Sequence, residues 1–258
     1  MTVITLLTDF GTADYFVGAM KGAILSVNPL ATIADITHEV PPQDIQSAAF
    51  LLLAAYKSFP AGTIHVGVVD PGVGSTRRPI IVRAGDYVFV GPDNGLFSYI
   101  YDRESSAEIF HVTAEKYFRQ PPSTTFHGRD IFAPVAAALS TGVKAEAFGG
   151  VITDPVRLEN SLPAEVQKDG RVEGRIIHID RFGNCITNIT RDVLNDKSAS
   201  LVVKGKTIRD FREFYADSDR DDLFAIWGSA GFLEISINGG SAAHKLKIKS
   251  GDRISGFP

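Results

Sequence analysis

The sequence predicts an α/β domain built on a mainly parallel sheet, followed by a smaller all-β, barrel-like domain. Three observations carry this. Short apolar runs alternate with helical patterns through the first half of the chain. Polar residues with proline and glycine interrupt it near 160–170. Strands punctuated by glycine fill the remainder. The implied boundaries are 1–160 for the α/β domain, 161–170 for a linker and 171–258 for the β domain.

Val3 to Leu7 reads as a buried strand and Phe16 to Val27 as a helix. Thr32 to Ile36 is a second strand. Ile45 to Phe59 is a strongly apolar helix closed by Pro60, and Ile64 to Val69 is a third strand. Strands separated by helical patterns imply βαβ units, hence a mainly parallel sheet. Ile80 to Arg83 and Tyr87 to Val90, joined around Gly85, form a hairpin added to it, and Asp130 to Leu139 restores a helix. After the linker, with Pro163 and Gly170, strands are expected at Val172–Ile179, Ser200–Val203, Leu223–Ile226, Phe232–Ile237 and Leu246–Ile248. Turns at Gly205, Gly239-Gly240 and Gly251 separate them.

Composition narrows the function. The 258 residues are 44% hydrophobic and 22% charged, with a net charge of -4, as expected of a soluble globular protein and not of a nucleic-acid binder. Cys185 is the only cysteine, so the chain has no internal disulfide and no thiolate cluster. No two histidines stand at metal-ligand spacing, so no metal or cofactor is expected. The first apolar stretch lacks a basic flank and is interrupted by Asp9, unlike a signal peptide. The longest apolar run, Ala48 to Tyr56, is too short to span a bilayer, and the expectation is a cytoplasmic protein.

Three polar clusters punctuate this scaffold. In HVGVVDPGVGSTRRP, Asp70 ends an apolar strand and enters a Pro-Gly-Val-Gly turn seven residues before Arg77. A carboxylate so placed meets ligands at the carboxyl edge of a sheet, where glycines allow close backbone approach. Thr125-Phe126-His127-Gly128-Arg129-Asp130 adds a histidine for the same site. A structural ion pair with a core histidine is the competing reading, and Arg78 leaves open which guanidinium turns inward. Asp9 and Asp14 follow the first strand and suit a ribose diol, unless they only cap the next helix. Asp180, Phe182 and Asn184 open the β domain with an acid, a flat ring and an amide for a base edge; a plain hairpin with one buried Phe is the alternative. Neither nucleotide-binding glycine fingerprint occurs, and no serine sits in a G-x-S-x-G setting.

LLTDFGTADYFVGAMKG, VVDPGVGSTRR, TFHGRD and IDRFGN, in this order along nearly the whole chain, closely resemble the S-adenosyl-L-methionine (SAM) hydroxide adenosyltransferases, relatives of the SAM-dependent fluorinase and chlorinase. The resemblance implies an adenosine-forming SAM hydrolase, in which activated water attacks C5′ in a nucleophilic substitution that gives adenosine and L-methionine. It implies a homotrimer with SAM between the α/β domain of one subunit and the β domain of its neighbour. It assigns catalysis to Asp70, Arg77 and His127, by the spacing from the DPGVG aspartate. Asp9 would hold the ribose hydroxyls, Phe182 and Tyr215 would sandwich the adenine, and Asn184 would read its edge. Asp14, Asp180 and Ser229 would hold the methionine end, Asn238 and Gly239 would close the adenine pocket, and Thr125 and Phe126 would also face the substrate. Retention of Asp70 and His127, which the halogenases replace, favours water over halide. Two departures from the fluorinase pattern stand out: Ala230 replaces an arginine and Gln43 a tryptophan. Halide transfer, for which the small Gly128 leaves room, and a SAM- or adenosine-binding regulator with little turnover are the rival readings.

Overall fold

The computed structural model describes residues 2–159, 162, 164–194 and 199–257. It divides into two compact units, Met1–Glu159 and Asn160–Pro258. Of the expected linker, Ser161 and Pro163 lie outside the described residues, as does Asn160 beside it.

The first unit contains β1 (Val3–Thr8), α1 (Phe16–Val27), β2 (Thr32–Thr37), α2 (Ile45–Ala55), β3 (Ile64–Val68), β4 (Pro79–Ala84), β5 (Tyr87–Pro92), α3 (Ser98–Arg103), β6 (Glu108–His111), α4 (Ala133–Ser140) and β7 (Val151–Ile152). Its seven strands run in the order β2-β1-β3-β5-β4-β6-β7. Only β2, β1, β3 and β5 are parallel; β4, β6 and β7 pair antiparallel. The mainly parallel sheet expected from the alternation is therefore mixed. The cause is local: Gly85, at φ 55°, turns β4 straight back into β5, and a tight turn with no crossover helix can only join antiparallel strands.

Helix α1 buries Val17, Met20 and Ile24, a three- and four-residue spacing that gives one apolar stripe. It joins Phe132, Val135 and Ala136 of the α4 segment and Ile4, Leu6, Val66 and Val68 of the sheet in one core. Helix α2 is started by Asp44, whose side chain accepts from the backbone N–H of Ser47 at 2.9 Å.

Register positions both chemistry and stability. Leu7 lies beside Gly67 and Thr8 beside Val68, so parallel β1 and β3 end together and deliver Asp9 and Asp70 to one sheet edge. Thr5 lies beside His65, and its Oγ1 meets His65 Nδ1 at 2.7 Å within a cage of Tyr56, Phe59, Tyr87 and Phe89. Burial drops the His65 pKa from 6.5 to about 4. The folded state thus binds fewer protons than the unfolded chain, so His65 contributes stability that is whole above pH 6.5 and falls as the pH drops toward 4, by roughly 3 kcal/mol in all. Urea unfolding at stepped pH checks this, because the pair Thr5→Val with His65→Phe should flatten that part of the profile. An unchanged slope would refute it.

The second unit contains β8 (Glu165–Val166), β9 (Val172–Ile179), β10 (Cys185–Thr190), β11 (Ser200–Val203), β12 (Lys206–Ile208), β13 (Phe211–Arg212), β14 (Leu223–Trp227), β15 (Phe232–Ile237), α5 (Ala242–Leu246) and β16 (Arg253–Phe257). They form one curled sheet in the order β12-β11-β16-β9-β10-β15-β14-β13, with β8 beside β9. All pairings are antiparallel except β13 with β14. The path is open: β12 and β13 are its two ends, so the sheet curls without closing into a barrel among the described residues.

The expected strand Leu246–Ile248 does not form, and the unit is not wholly β. Ser241 accepts from the backbone N–H of His244 and starts helix α5, which Lys247 ends in a left-handed conformation at φ 54°. The last strand is β16, whose short alternation around Ile254 and Gly256 gives little sequence signal.

Candidate active site

At the edge where β1 and β3 end, the chain after Asp70 folds into a compact turn. The backbone N–H of Val73 donates to the Asp70 carbonyl, and that of Arg77 to Ser75 Oγ. Gly74, at φ 79°, is indispensable here: a Cβ would fall 2.4 Å from the carbonyl oxygen of Thr124. That approach draws the Asp70 turn against the loop that carries His127.

Arg77 joins the two. Its Nε lies 3.0 and 3.1 Å from the two Asp70 oxygens, and Nη2 donates to Asp70 Oδ2 at 2.5 Å and to His127 Nδ1 at 2.6 Å. The guanidinium rests 5.2 Å from the centre of the Phe132 ring, which is fully buried. Both charged side chains are nearly buried, Arg77 being 9% and Asp70 5% exposed. A guanidinium only donates, so Nδ1 accepts and the neutral imidazole carries its proton on Nε2. Burial, and then the Arg77 charge, hold the His127 pKa below its ordinary value against the opposing pull of Asp70 and Asp130. His127 is accordingly neutral at pH 7.

The neighbouring arginine faces elsewhere. Arg78 donates to Asp93 at 2.8 Å and to the side chain and carbonyl of Asp154 at 2.9 and 2.7 Å. Successive side chains of an extended segment point to opposite sides, which separates the two guanidinium groups.

His127 precedes a π-helical turn, Gly128–Phe132, that leads into α4. Asp130 anchors the turn: fully buried, it takes Arg129 on both oxygens and the backbone N–H of Ser123. Gly128 is small because Met20 Sδ, Phe126 and Phe10 would lie 3.2–3.5 Å from a Cβ there. Its size therefore serves the packing of these three side chains. Phe126 is buried among Phe10, Tyr15 and Phe16, whereas Thr125 is exposed and its hydroxyl meets Ser123 Oγ.

Asp9 caps no helix, and neither does Asp14: Tyr15 holds the N-cap position of α1, without a side-chain hydrogen bond. Asp9 Oδ2 accepts from the backbone N–H of Gln43, which adopts φ 65°. Asp9, Gln43, Asp70 and Pro71 line a recess of about 400 Å³; the exposed Asp14 is not part of its lining.

The β unit gathers a second group. Asp180, Phe182, Asn184, Tyr215, Asn238 and Gly239 line one cavity of about 570 Å³. The β9–β10 turn is knotted by Asp180, which accepts from the backbone N–H groups of Phe182 and Asn184 at 2.9 and 2.8 Å and from Asn184 Nδ2 at 2.8 Å. Phe182 is 76% exposed, contrary to a hairpin with a buried Phe. Asn238 Nδ2 donates to the Ser218 carbonyl. Exposed Ser229 lies in the turn between β14 and β15, outside this lining.

Two groups escaped the sequence reading. Phe132 underlies Arg77, a contact with no local signal. Glu234 accepts from the Tyr215 hydroxyl at 2.9 Å, and a lone carboxylate in the apolar FLEISI strand is a signal that could have been followed. Burial, then the Asp180 charge, raise the Glu234 pKa while the Tyr215 hydrogen bond opposes them. Burial pushes the Cys185 thiol up to about 12, so it is no nucleophile. Among the described residues no group of His, Cys, Asp and Glu is placed to hold a metal ion.

Comparison with known proteins covers both units. Residues 4–149 match the model of the SAM hydroxide adenosyltransferase N-terminal domain, and residues 174–255 that of its C-terminal domain. The chain is 36% identical to the (R)-S-adenosyl-L-methionine hydrolase of Methanocaldococcus jannaschii, over 98% of this chain and 95% of the relative. It is 34% identical to the enzyme of that name from Thermus thermophilus, over 97% and 98%. A fluorinase of Nocardia brasiliensis is 27% identical, over 96% and 94%. An uncharacterized conserved protein of Thermotoga maritima, known from its crystal structure, superposes with a TM-score of 0.90 at 36% identity, covering 99% of this chain and 100% of that one.

Proposed function

The chain belongs to the SAM hydroxide adenosyltransferase family, and from that we propose that it hydrolyses S-adenosyl-L-methionine to adenosine and L-methionine. The single observation that carries the reading is Arg77 bridging Asp70 and His127. Halide-using relatives are more distant in sequence, 27% against 36% identical.

The bond that breaks is C5′–S. The sulfonium leaves as a neutral thioether, so no acid is needed and no metal is required to neutralise a departing anion. The demand falls on the nucleophile, since bulk water has a pKa of about 15.7. Arg77 supplies positive charge where hydroxide character develops. With its Nδ1 engaged, His127 presents Nε2–H and orients the water oxygen. That leaves the Asp70 carboxylate, which keeps lone pairs beyond those Arg77 occupies, to take the proton. The water oxygen then bonds to C5′, and the C–S electron pair goes to methionine sulfur.

Asp9 suits the ribose hydroxyls, with Thr125 and the buried Phe126 assigned to its side of the substrate, and Asp14 suits the methionine end. In the β unit the exposed ring of Phe182 and the ring of Tyr215 suit the adenine faces, and Asn184 its edge. Asn238 and Gly239 close that pocket, and Asp180 and Ser229 take the methionine end. Since these groups are divided between two units, we place the substrate between the α/β unit of one subunit and the β unit of its neighbour in a homotrimer. We also propose a cytoplasmic enzyme, from the lack of a basic flank on the first apolar stretch and its interruption by Asp9.

The relatives' name specifies the (R) sulfonium, and we assign that diastereomer here. Incubation with each separated diastereomer, followed by chromatography, should give adenosine and methionine from the (R) form, unchanged by EDTA. Halide added at high concentration should give no 5′-halo-5′-deoxyadenosine. Bound SAM that yields no adenosine would overturn the assignment in favour of a binding regulator.

A further inference from the structure

Glu234 is the least expected charge in the β unit. Its strand neighbours Leu233, Ile235 and Ile237 enter the core, so Glu234 faces the other side of β15. Gly228, at the end of β14, makes space for it: a Cβ there would lie 1.7 Å from Glu234 Oε1. The carboxylate thus occupies a slot from which a Cβ at 228 would displace it. From the slot its second oxygen, Oε2, accepts the Tyr215 hydroxyl at 2.9 Å. Tyr215 lies on a three-residue 3-10 turn, Tyr215–Asp217, is 44% exposed, and touches Phe224 edge-on at 6.1 Å between ring centres. One ring edge and one hydroxyl therefore fix the orientation of a tyrosine that walls the cavity of Phe182 and Asn184.

We infer that Glu234 is a positioning residue for substrate binding: held in the Gly228 slot, its carboxylate sets the Tyr215 ring parallel to the opposing Phe182 so that a flat base fits between them. The inference rests on the reading of this cavity as the adenine site. Glu234 touches neither the reacting carbon nor the nucleophile, so its effect belongs to binding. An untethered ring must be ordered each time the base enters, which weakens binding without slowing the bond-breaking step.

The test combines SAM kinetics with adenosine titration by calorimetry. Glu234→Ala should raise KM for SAM and Kd for adenosine about tenfold, as expected for losing one hydrogen bond to a charged group, with kcat within about twofold. Glu234→Gln, whose amide oxygen still accepts, should recover most of the loss. Tyr215→Phe should match Glu234→Ala, and the double variant should be no worse than either. An unchanged Kd in a folded Glu234→Ala variant, additive effects in the double variant, or a loss confined to kcat would overturn the inference. Phe182→Ala and Asn184→Ala separate the two readings: if these also leave adenosine affinity intact, the cavity does not hold the base. If they abolish it while Glu234→Ala does not, only the positioning role fails.

Discussion

Arg77→Ala is expected to lower kcat for SAM hydrolysis by about 10³-fold, the scale of losing a charge-stabilising donor in an active site. Three contacts fail at once. Hydroxide character at the nucleophile loses its cation, Asp70 keeps a nearly buried charge without a partner, and His127 Nδ1 loses the donor that fixes its tautomer. The pH profile separates this from simple unfolding. The Arg77 charge helps hold the His127 pKa down, so its removal raises that pKa, and a reaction needing neutral His127 loses its acidic limb at a higher pH than in the parent enzyme. Arg77→Lys should recover little, because an ammonium cannot span both the carboxylate and the imidazole in the guanidinium geometry. Steady-state kinetics from pH 5 to 9 would measure both effects. A loss below tenfold, or an acidic limb that stays in place, would refute the role.

Phe132→Ala should cost about 3–5 kcal/mol of stability and a further several-fold in kcat. Phe132 is fully buried in the α/β core, so truncation leaves a cavity between α4, the π-helical turn and the sheet. It also removes the ring face beneath Arg77. Phe132→Leu refills most of the volume and returns no π face. Comparing the two by urea unfolding and kinetics therefore divides packing from support of the guanidinium: stability should largely recover and kcat should not. Full recovery of kcat in the leucine variant would show that the cation–π contact contributes nothing to the chemistry.

Much of this architecture is legible in the sequence wherever period and punctuation agree. Helix α1 and strands β9, β11 and β15 fall where apolar spacing and flanking glycines put them. Strand direction is not written in the same way. A run such as Tyr87–Val90 is equally apolar whether its neighbour is parallel or antiparallel, and the turn at Gly85 decides. Leu246–Ile248 fits a strand by alternation and a helix end by its distance from Ser241; the Ser241 cap settles it. In the candidate site, the polar cluster of Asp70, Arg77, Arg78 and His127 is readable because glycine turns and a strand end mark it. The division of labour between Arg77 and Arg78 is not, because it depends on Asp93 and Asp154, far along the chain. Phe132 is invisible for the same reason, whereas Glu234 stands out as a lone carboxylate in an apolar strand and only its Tyr215 partner is hidden.

Phe182 gives the free protein an unusual surface. A phenyl ring 76% exposed projects from a turn whose backbone Asp180 locks by accepting three hydrogen bonds. Its hydration is a standing cost that any flat base relieves, whether attached to methionine or already released from it. On the proposed reading adenosine is then an inhibitor as well as a product.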